Sequence, residues 1–328
     1  MRSLVRRVRS FWATKPAFPV FVPVVLRALL SRRAQDETPR WRREGWRSVT
    51  TFRPRTARPQ TGLTVFSILR NGIANGYPFI EAYGSWLDYC DRIVVHDGDS
   101  DDGTAEALTE LRRLDDRVEV VSRPWPERSE MGSAIARFTD ETLSSARLGS
   151  ERLMYVQADE IYTPEQRELL SGWREGAFEF AGCVNFWNSL DTVLTNRFPM
   201  RYVRLFPATA EVTSIGDGFS FAVEGVRVQQ SQELFLHYGW CFPEQILRKH
   251  VSHGRLYHGD PGYRARGWLA GLMLEQGRYD RRLLDALAPQ YRPVPFTGTH
   301  PACMRHLVGA RRYDPGVGLE LLADGASW

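Results

Sequence analysis

The chain of 328 residues is long enough to bury a full hydrophobic core, and its 43% apolar and 25% charged content is ordinary for a soluble globular protein. Its four cysteines lie far apart without a C-x-x-C pair, which argues against a disulfide framework or a zinc ribbon and favours a reducing, cytoplasmic compartment. The net charge of +4 conceals a basic arm at residues 1–60 (net +12) before an acidic remainder (net −8) that lacks a nucleic-acid recognition motif, so no nucleic-acid partner is expected.

The basic arm has two parts. Residues 1–12 place apolar side chains at helical spacing between arginines, and residues 17–33 are apolar but interrupted by prolines. This uninterrupted apolar length is below the roughly 20 residues that span a bilayer, and no secretory cleavage site follows. Residues 1–33 therefore either lie on an anionic membrane surface, at the inner face of the cell membrane, or form a solvated tail or a docked helix. Residues 34–60 have the composition of a linker.

From residue 62 onward, short β-favouring runs alternate with helical patterns. This alternation predicts an α/β fold with a mainly parallel sheet flanked by helices. Strands are predicted at residues 63–69, 91–97, 117–123 and 151–160, and helices at 77–90, after a cap at Ser100 or Asp101, and at 132–146.

The polar loops after these strands collect acids and amides. Arg70 and Asn71 follow the first strand, residues 97–102 follow the second, and Asp159 with Glu160 ends the fourth. Because ligands bind beyond the carboxyl ends of strands in open α/β sheets, these loops predict one binding site. Its oxygen-rich character suits a divalent cation such as Mn²⁺ or Mg²⁺. The first loop, RNGIANG, has neither the P-loop nor the dinucleotide-binding pattern, so we expect a nucleoside diphosphate held through the metal.

Three segments in order, LTVFSILRNG, IVVHDGDSDDGT and MYVQADE, resemble a family 2 glycosyltransferase of the GT-A fold. In that family an Asp at the end of the second strand opens a D-x-x-S-x-D-G-T segment. Five residues match this segment in register: Asp97, Ser100, Asp102, Gly103 and Thr104.

The sequence departs from the family at its acidic D-x-D motif. Residues 157–159 read Gln-Ala-Asp, so the second acid is present as Asp159 while Gln157 replaces the first. The later segments IGDGFSF, LHYGWCFPEQILRK and FTGTHPACM are similar to a subgroup with a Q-A-D-E form of the motif. The resemblance therefore extends from residue 62 to about 305 and leaves the basic arm outside it.

The resemblance implies an activity and a domain organisation. It predicts a metal-dependent, inverting glycosyltransferase that moves a sugar from a nucleotide-sugar donor to a carbohydrate or lipid-linked acceptor, as in the synthesis of cell-envelope polysaccharide. The glycosyltransferase domain would be residues 61–310, with donor binding in 61–160 and acceptor binding in 161–310. A C-terminal tail is expected at 311–328.

The same resemblance implies roles for individual residues. Asp159 and His237 would bind the divalent cation, which as a Lewis acid stabilises the departing nucleoside diphosphate. Glu160 would orient Asp159 or face the acceptor, and Lys249 would complement the phosphate charge. The other nucleotide-sugar contacts are expected from Arg70, Asn71, Asp97, Asp99, Asp102 and Gln157.

An inverting enzyme also needs a general base that takes the proton of the acceptor hydroxyl. We predict Asp217 as this base, because its flanking glycines favour a tight turn that presents one carboxylate. Asp191 and Glu211 are alternatives, and Asp217 is equally compatible with a simple turn.

Functions from other classes stay open. The replacement of an acid by Gln157 is compatible with a non-catalytic protein that binds a nucleotide sugar or a glycan through a degenerate site. The basic arm is compatible with a membrane-surface scaffold. A nucleotidyltransferase is disfavoured, because the first loop lacks the glycine-rich pattern of that class.

Overall fold

The computed structural model describes residues 59–125, 133–195, 200–257, 259–277, 284–285, 287, 292–326 and 328. Residues 1–58, which include nearly all of the predicted basic arm, lie outside the described residues. Within the described part of the chain, no helix has the length and apolar character needed to cross a lipid bilayer.

Strands and helices alternate along the first hundred described residues, as the sequence predicts. The described strands are β1 (Leu63–Leu69), β2 (Arg92–Asp97), β3 (Val118–Ser122), β4 (Arg152–Tyr155), β5 (Glu160–Ile161), β6 (Ala177–Phe180), β7 (Gly182–Asn185), β8 (Thr192–Thr195), β9 (Tyr202–Pro207), β10 (Glu211–Ile215), β11 (Ser220–Glu224), β12 (Val228–Gln230), β13 (Leu234–His237) and β14 (Arg292–Pro295). The helices are α1 (Gly72–Asn75), α2 (Phe79–Gly84), α3 (Thr104–Leu114), α4 (Ser133–Ala146), α5 (Pro164–Gly172), α6 (Pro243–Leu256), α7 (Pro261–Gln276) and α8 (Pro315–Ala323), with a 3₁₀ helix at Ala302–Leu307.

Seven strands form the central sheet in the order β12-β6-β9-β4-β1-β2-β3. β1 pairs in parallel with β2 on one side and with β4 on the other, and β2 pairs in parallel with β3. β9 runs antiparallel to both β4 and β6, while β6 and β12 are parallel. β9 is therefore the one reversed strand among these seven, and the prediction of an α/β fold with a mainly parallel sheet is confirmed.

β1 shows why helices cover both faces of the sheet. Its sequence LTVFSIL is almost continuously apolar, and six of its seven residues are buried, as expected for a central parallel strand. Successive side chains point to opposite faces. Val65 belongs to the same hydrophobic cluster as Leu108 of α3, whereas Phe66 belongs to the cluster that contains Leu143 of α4.

Smaller sheets bring the second half of the chain to the carboxyl ends of the central strands. β5, β13 and β7 form one such sheet, in which His237 pairs with Glu160. β10 and β11 form a hairpin whose turn contains Asp217, and β14 pairs with β8. The residues predicted for the acceptor half therefore reach the edge of the sheet where the donor loops lie.

Helix α3 begins differently from the prediction. Instead of Ser100 or Asp101, its N-cap residue is Gly103 in the left-handed conformation (φ 99°), without a side-chain cap. Ser100 Oγ donates a hydrogen bond to Asp97 Oδ1, and Asp101 bonds to Asn71. The two polar side chains thus connect loops to each other and are not used on the helix terminus.

The segment predicted as a C-terminal tail, residues 311–328, is part of the main core, so this prediction was wrong. Helix α8 packs against α2 and α3, and its Leu319 and Leu322 are buried. Trp328 is buried as well, and a Cβ on Gly84 would lie 2.5 Å from Trp328 Cζ3, so this glycine makes room for the indole. The leucines of α8 recur at helical spacing, and this pattern is typical of a helix with one face toward the core.

Truncation of a core-facing leucine of α8 distinguishes a core helix from a tail. We expect Leu319→Ala to lower the free energy of unfolding by about 2–5 kcal/mol, because it removes buried carbon and leaves a cavity. Val317→Ala is the control, since Val317 lies on the same helix but is 37% exposed. The control should change stability by no more than about 0.5 kcal/mol. Urea unfolding of both variants measures the difference, and two equally small effects would contradict the assignment of α8 to the core.

Candidate functional site

A cavity of about 1470 Å³ opens beyond the carboxyl ends of β1 and β4. Its volume exceeds the roughly 300–1,000 Å³ of most small-molecule pockets, so it has room for a ligand built of several units. Residues from both halves of the predicted domain line it. Eight of the predicted site residues lie on its wall: Arg70, Asn71, Gln157, Asp159, Glu160, Asp217, His237 and Lys249.

The loop after β1 is fixed to the loop after β2 through Asn71. The Asn71 backbone is left-handed (φ 51°, ψ 49°), and its Nδ2 donates to Asp101 Oδ1 at 2.9 Å. In return the backbone N of Asp101 donates to Asn71 Oδ1 at 3.0 Å, and the backbone N of Asn71 donates to Ser100 Oγ at 2.8 Å. This reciprocal set of bonds positions Arg70 and Asn71 at the cavity.

The acids of the second loop hold the loops together. Asp97 Oδ1 accepts from Ser100 Oγ at 2.5 Å, Asp102 Oδ2 accepts from the backbone N of Ala74 at 2.6 Å, and Asp99 accepts from a serine at the end of β3. Burial raises the pKa of Asp97, although the hydrogen bonds from Ser100 act in the opposite direction. These three described carboxylates are not among the residues that line the cavity, so their predicted nucleotide contacts stay predictions.

Two side chains converge on one carboxylate oxygen of Asp159. Lys249 Nζ lies 3.2 Å from Asp159 Oδ2, and His237 Nε2 lies 3.3 Å from the same oxygen. Burial alone would raise the pKa of Asp159, but its interactions with His237 and Lys249 hold the pKa of this carboxyl well below its usual range. Burial lowers the pKa of Lys249, whereas Tyr77 and Asp159 raise it, and the net direction is upward. Asp159 and Lys249 therefore form a buried, ionised pair.

The ammonium of Lys249 lies in a cage of aromatic and carbonyl groups. Nζ lies 4.5 Å from the ring centroid of Trp240 and 4.6 Å from that of Tyr77, and it donates to the carbonyl of Gly239 at 3.1 Å. The faces of aromatic rings attract cations. A Cβ on Gly239 would collide with Asp159 Oδ2 and lie 2.6 Å from Lys249 Nζ, so only glycine at this position allows the pair to form.

Glu160, the acid next to Asp159, is held by Arg204 of β9. Arg204 Nη2 lies 2.6 Å from Glu160 Oε1, and Arg204 Nε donates to Oε2 at 3.0 Å. Tyr162 Oη and the backbone N of Gln157 also donate to Oε2, at 3.0 and 3.2 Å. Both charged side chains are fully buried. This geometry fits a residue that orients the Asp159 loop, one of the two roles implied for Glu160; a catalytic role for it stays a prediction.

Asp217 lies in the turn between β10 and β11 and faces the cavity. The hydroxyl of Tyr257, directly after α6, donates to Asp217 Oδ2 in a short hydrogen bond. The alternative bases Asp191 and Glu211, both described and both exposed, are not among the residues that line the cavity. Of the three acids weighed from the sequence, Asp217 is thus the one that lines the cavity, and its role as a base stays a prediction.

Sequence reasoning missed the partners of these acids. Arg204 carried a detectable signal, because a charged residue within the apolar run YVRLFP predicts a buried ion pair. Tyr257 and the cage residues Tyr77 and Trp240 carried no such signal, since aromatic residues in helices and loops are usually part of the core.

The donor set around Asp159 does not fit a divalent cation. Mn²⁺ and Mg²⁺ favour several oxygen ligands, but Gln157 brings no charge and Glu160 is already paired with Arg204. Lys249 places a positive charge 3.2 Å from Asp159 Oδ2, where it repels a second cation. Among the described residues, no group of three or more His, Cys, Asp and Glu side chains is placed to hold a metal ion. The predicted metal ligation by Asp159 and His237 stays a prediction, without support from this geometry.

Comparison with known proteins gives matches among solved structures. The chain is similar to S. aureus TarS (11% identity over 65% of this chain, TM-score 0.35), of which it spans 43%. It is similar to the mannosyltransferase PcManGT from Pyrobaculum calidifontis in complex with GDP-Man and Mn²⁺ (17% identity over 87% of this chain and 90% of that one, TM-score 0.34). It is also similar to GalNAc-T7 with UDP, GalNAc and Mn²⁺ (11% identity, 83% and 69% covered, TM-score 0.35). No protein-family model and no curated protein matches the sequence, and similarity at this level carries no functional assignment.

Loss of the Glu160 charge should destabilise the fold. We expect Glu160→Gln to lower the free energy of unfolding by about 3–5 kcal/mol, because Arg204 would stay buried without its counter-charge. Glu179→Gln is the matched control, since its partner Arg201 is 34% exposed and such pairs contribute no more than about 1 kcal/mol. Chemical denaturation of the two variants gives the comparison. Equal losses of stability would contradict a special role for the buried pair.

Proposed function

We propose that the protein is a family 2 glycosyltransferase with a GT-A fold, which moves a sugar from a nucleotide-diphosphate sugar to a carbohydrate or lipid-linked acceptor. The observation that carries this proposal is the shared cavity. Arg70 and Asn71 of the donor half and Asp217 of the acceptor half line one space of about 1470 Å³. A transferase needs this arrangement, because both substrates must meet with their reacting atoms in contact.

In the proposal the donor lies against the loops that follow β1 and β4. Asn71 contacts the base or the ribose, and its bonds to Asp101 hold it in place before the donor binds. Gln157 offers an amide to the donor, and Arg70 and Lys249 complement the charge of the two phosphates. Such a preorganised wall stabilises the negative charge that develops on the departing nucleoside diphosphate.

Asp217 is the proposed general base. It takes the proton of the acceptor hydroxyl while the acceptor oxygen forms a bond to the anomeric carbon of the sugar. The bond from that carbon to the phosphate oxygen breaks, and its electron pair leaves on the nucleoside diphosphate. Attack opposite to the leaving group inverts the anomeric configuration. Tyr257 donates to Asp217 Oδ2, which orients the carboxylate and leaves Oδ1 to accept the proton.

A cytoplasmic location and attachment to the inner face of the cell membrane complete the proposal. The attachment rests on the charge pattern of residues 1–33, since clusters of basic residues bind anionic lipid surfaces. An enzyme held there would meet lipid-linked acceptors such as those used for cell-envelope polysaccharide.

Replacement of Asp217 tests the proposed chemistry. We expect Asp217→Asn to lower the rate of sugar transfer, or of donor hydrolysis when no acceptor is supplied, by about 10²- to 10⁴-fold, because the base is lost. Donor affinity should stay unchanged. Glu211→Gln is the control, since Glu211 is exposed and lies away from the cavity wall. Nucleoside diphosphate release from a panel of UDP-, GDP- and dTDP-sugars measures the rates, and thermal shift measures donor binding.

The possible outcomes separate the proposal from its alternatives. Donor binding without release by the wild-type protein would favour the non-catalytic binder. Full activity in Asp217→Asn would exclude Asp217 as the base. Retention of the anomeric configuration, read by NMR of the product, would contradict inversion. If no nucleotide sugar binds at all, the glycosyltransferase proposal fails.

A further inference from the structure

We propose that the cation of this donor site is the ammonium of Lys249, and that the site binds the diphosphate of its donor without a divalent metal. The inference rests on the proposed function, because it concerns how that donor is held. It differs from the expectation that the sequence raised, in which Asp159 and His237 ligate Mn²⁺ or Mg²⁺.

The first support is the net charge of the site before any ligand binds. Two adjacent acids lie where the loop after β4 enters β5, and each already has a cation of the chain: Lys249 for Asp159 and Arg204 for Glu160. With both acids compensated, nothing in the pair attracts a second positive ion. Beyond these pairs, Arg70, Arg248 and Arg255 bring three positive charges to the cavity wall, against the one negative charge of Asp217. The site is therefore suited to an anion, and a diphosphate is the anionic part of a nucleotide sugar.

The second support is that neighbouring residues hold the ammonium of Lys249 in one position. Lys249 Nζ is fixed by Asp159 Oδ2, by the Gly239 carbonyl and by the faces of Tyr77 and Trp240, at the distances given above. The absence of a Cβ at Gly239 makes room for this arrangement. Lys249 lines the cavity, so its charge acts on a ligand placed there. A metal ion at Asp159 Oδ2 would have to displace this ammonium, which lies 3.2 Å from the same oxygen.

The third support comes from composition. Of the 43 Lys and Arg residues in the chain, only two are lysines, Lys15 and Lys249. Arginine is thus the default basic residue of this sequence. A lysine ammonium is a compact point charge, whereas a guanidinium is a wide planar fork. The cage around Lys249 fits the compact group, so the one lysine among the described residues lies where a compact charge fits the geometry.

A calorimetric titration of the full-length wild-type protein with UDP, GDP and dTDP tests the inference. Each titration is run in EDTA and again with MnCl₂. We expect the dissociation constant of the preferred nucleotide to agree within about twofold between the two conditions, because no metal ion takes part in the proposed binding. MnCl₂ alone should produce no binding heat and no thermal shift. A tenfold or larger gain in affinity with Mn²⁺ would overturn the inference while leaving the proposed function intact.

Two variants give predictions of opposite direction in EDTA. Lys249→Met should weaken nucleotide binding at least tenfold, whereas Arg113→Met, which removes one positive charge from the exposed side of α3, should not. Asp159→Asn should bind the nucleotide as tightly as the wild type or more tightly, because it releases the ammonium from its internal partner. If Asp159 were a metal ligand, the same variant would instead lose binding. A tenfold loss in Asp159→Asn, or unchanged binding in folded Lys249→Met, would contradict the inference.

The result also distinguishes this inference from the proposed function. Binding that depends on Mn²⁺ refutes only the role of Lys249. The absence of binding by any nucleotide, with or without metal, in a protein with a cooperative thermal transition refutes the proposed donor site and the inference together. The wild-type comparison of EDTA with Mn²⁺ needs no variant, so the test stands even if Lys249→Met does not fold.

Discussion

Two adjacent buried carboxylates, where the loop after β4 enters β5, constrain the arrangement of the domain. An ionised carboxylate without a partner costs several kcal/mol to bury, and Asp159 and Glu160 are 6% and 1% exposed. Each is neutralised by a cation from a different part of the chain. Lys249 comes from α6, and Arg204 comes from β9. Both charges are therefore compensated only when α6 and β9 reach this segment.

β9, the reversed strand of the central sheet, supplies the cation that compensates Glu160. β9 lies antiparallel to β4, with Leu205 paired to Met154, so Arg204 lies beside the end of β4. Its guanidinium also lies near the rings of Tyr155 and Tyr202, at 5.4 and 5.1 Å from their centroids, which compensates part of its lost hydration. The antiparallel position of β9 in the sheet thus also supplies the counter-charge of Glu160.

Local patterns in the sequence predicted the sheet, because a strand buried on both faces is visible as a run of apolar residues. β1 coincides with the predicted strand at 63–69. The loops after the strands were predicted for the same reason, since parallel strands end at one edge. What the sequence did not reveal are the non-local pairs, Glu160 with Arg204 and Asp217 with Tyr257, which lie 44 and 40 residues apart. Periodicity reports which face of an element is buried, and it contains no information about which polar groups meet across that distance.

Helix α6 connects the two halves of the proposed reaction. It carries Lys249, which pairs with Asp159 at the donor loops, and it ends just before Tyr257, which bonds to Asp217 in the hairpin turn. The eight residue steps from Lys249 to Tyr257 correspond to about 12 Å along a helix, since each step rises 1.5 Å. A helix of this length fixes the separation between Lys249 and Tyr257, and through them the positions of Asp159 and Asp217. In the proposed reaction the sugar lies between the ammonium and the Asp217 carboxylate, so one helix would set the geometry of transfer.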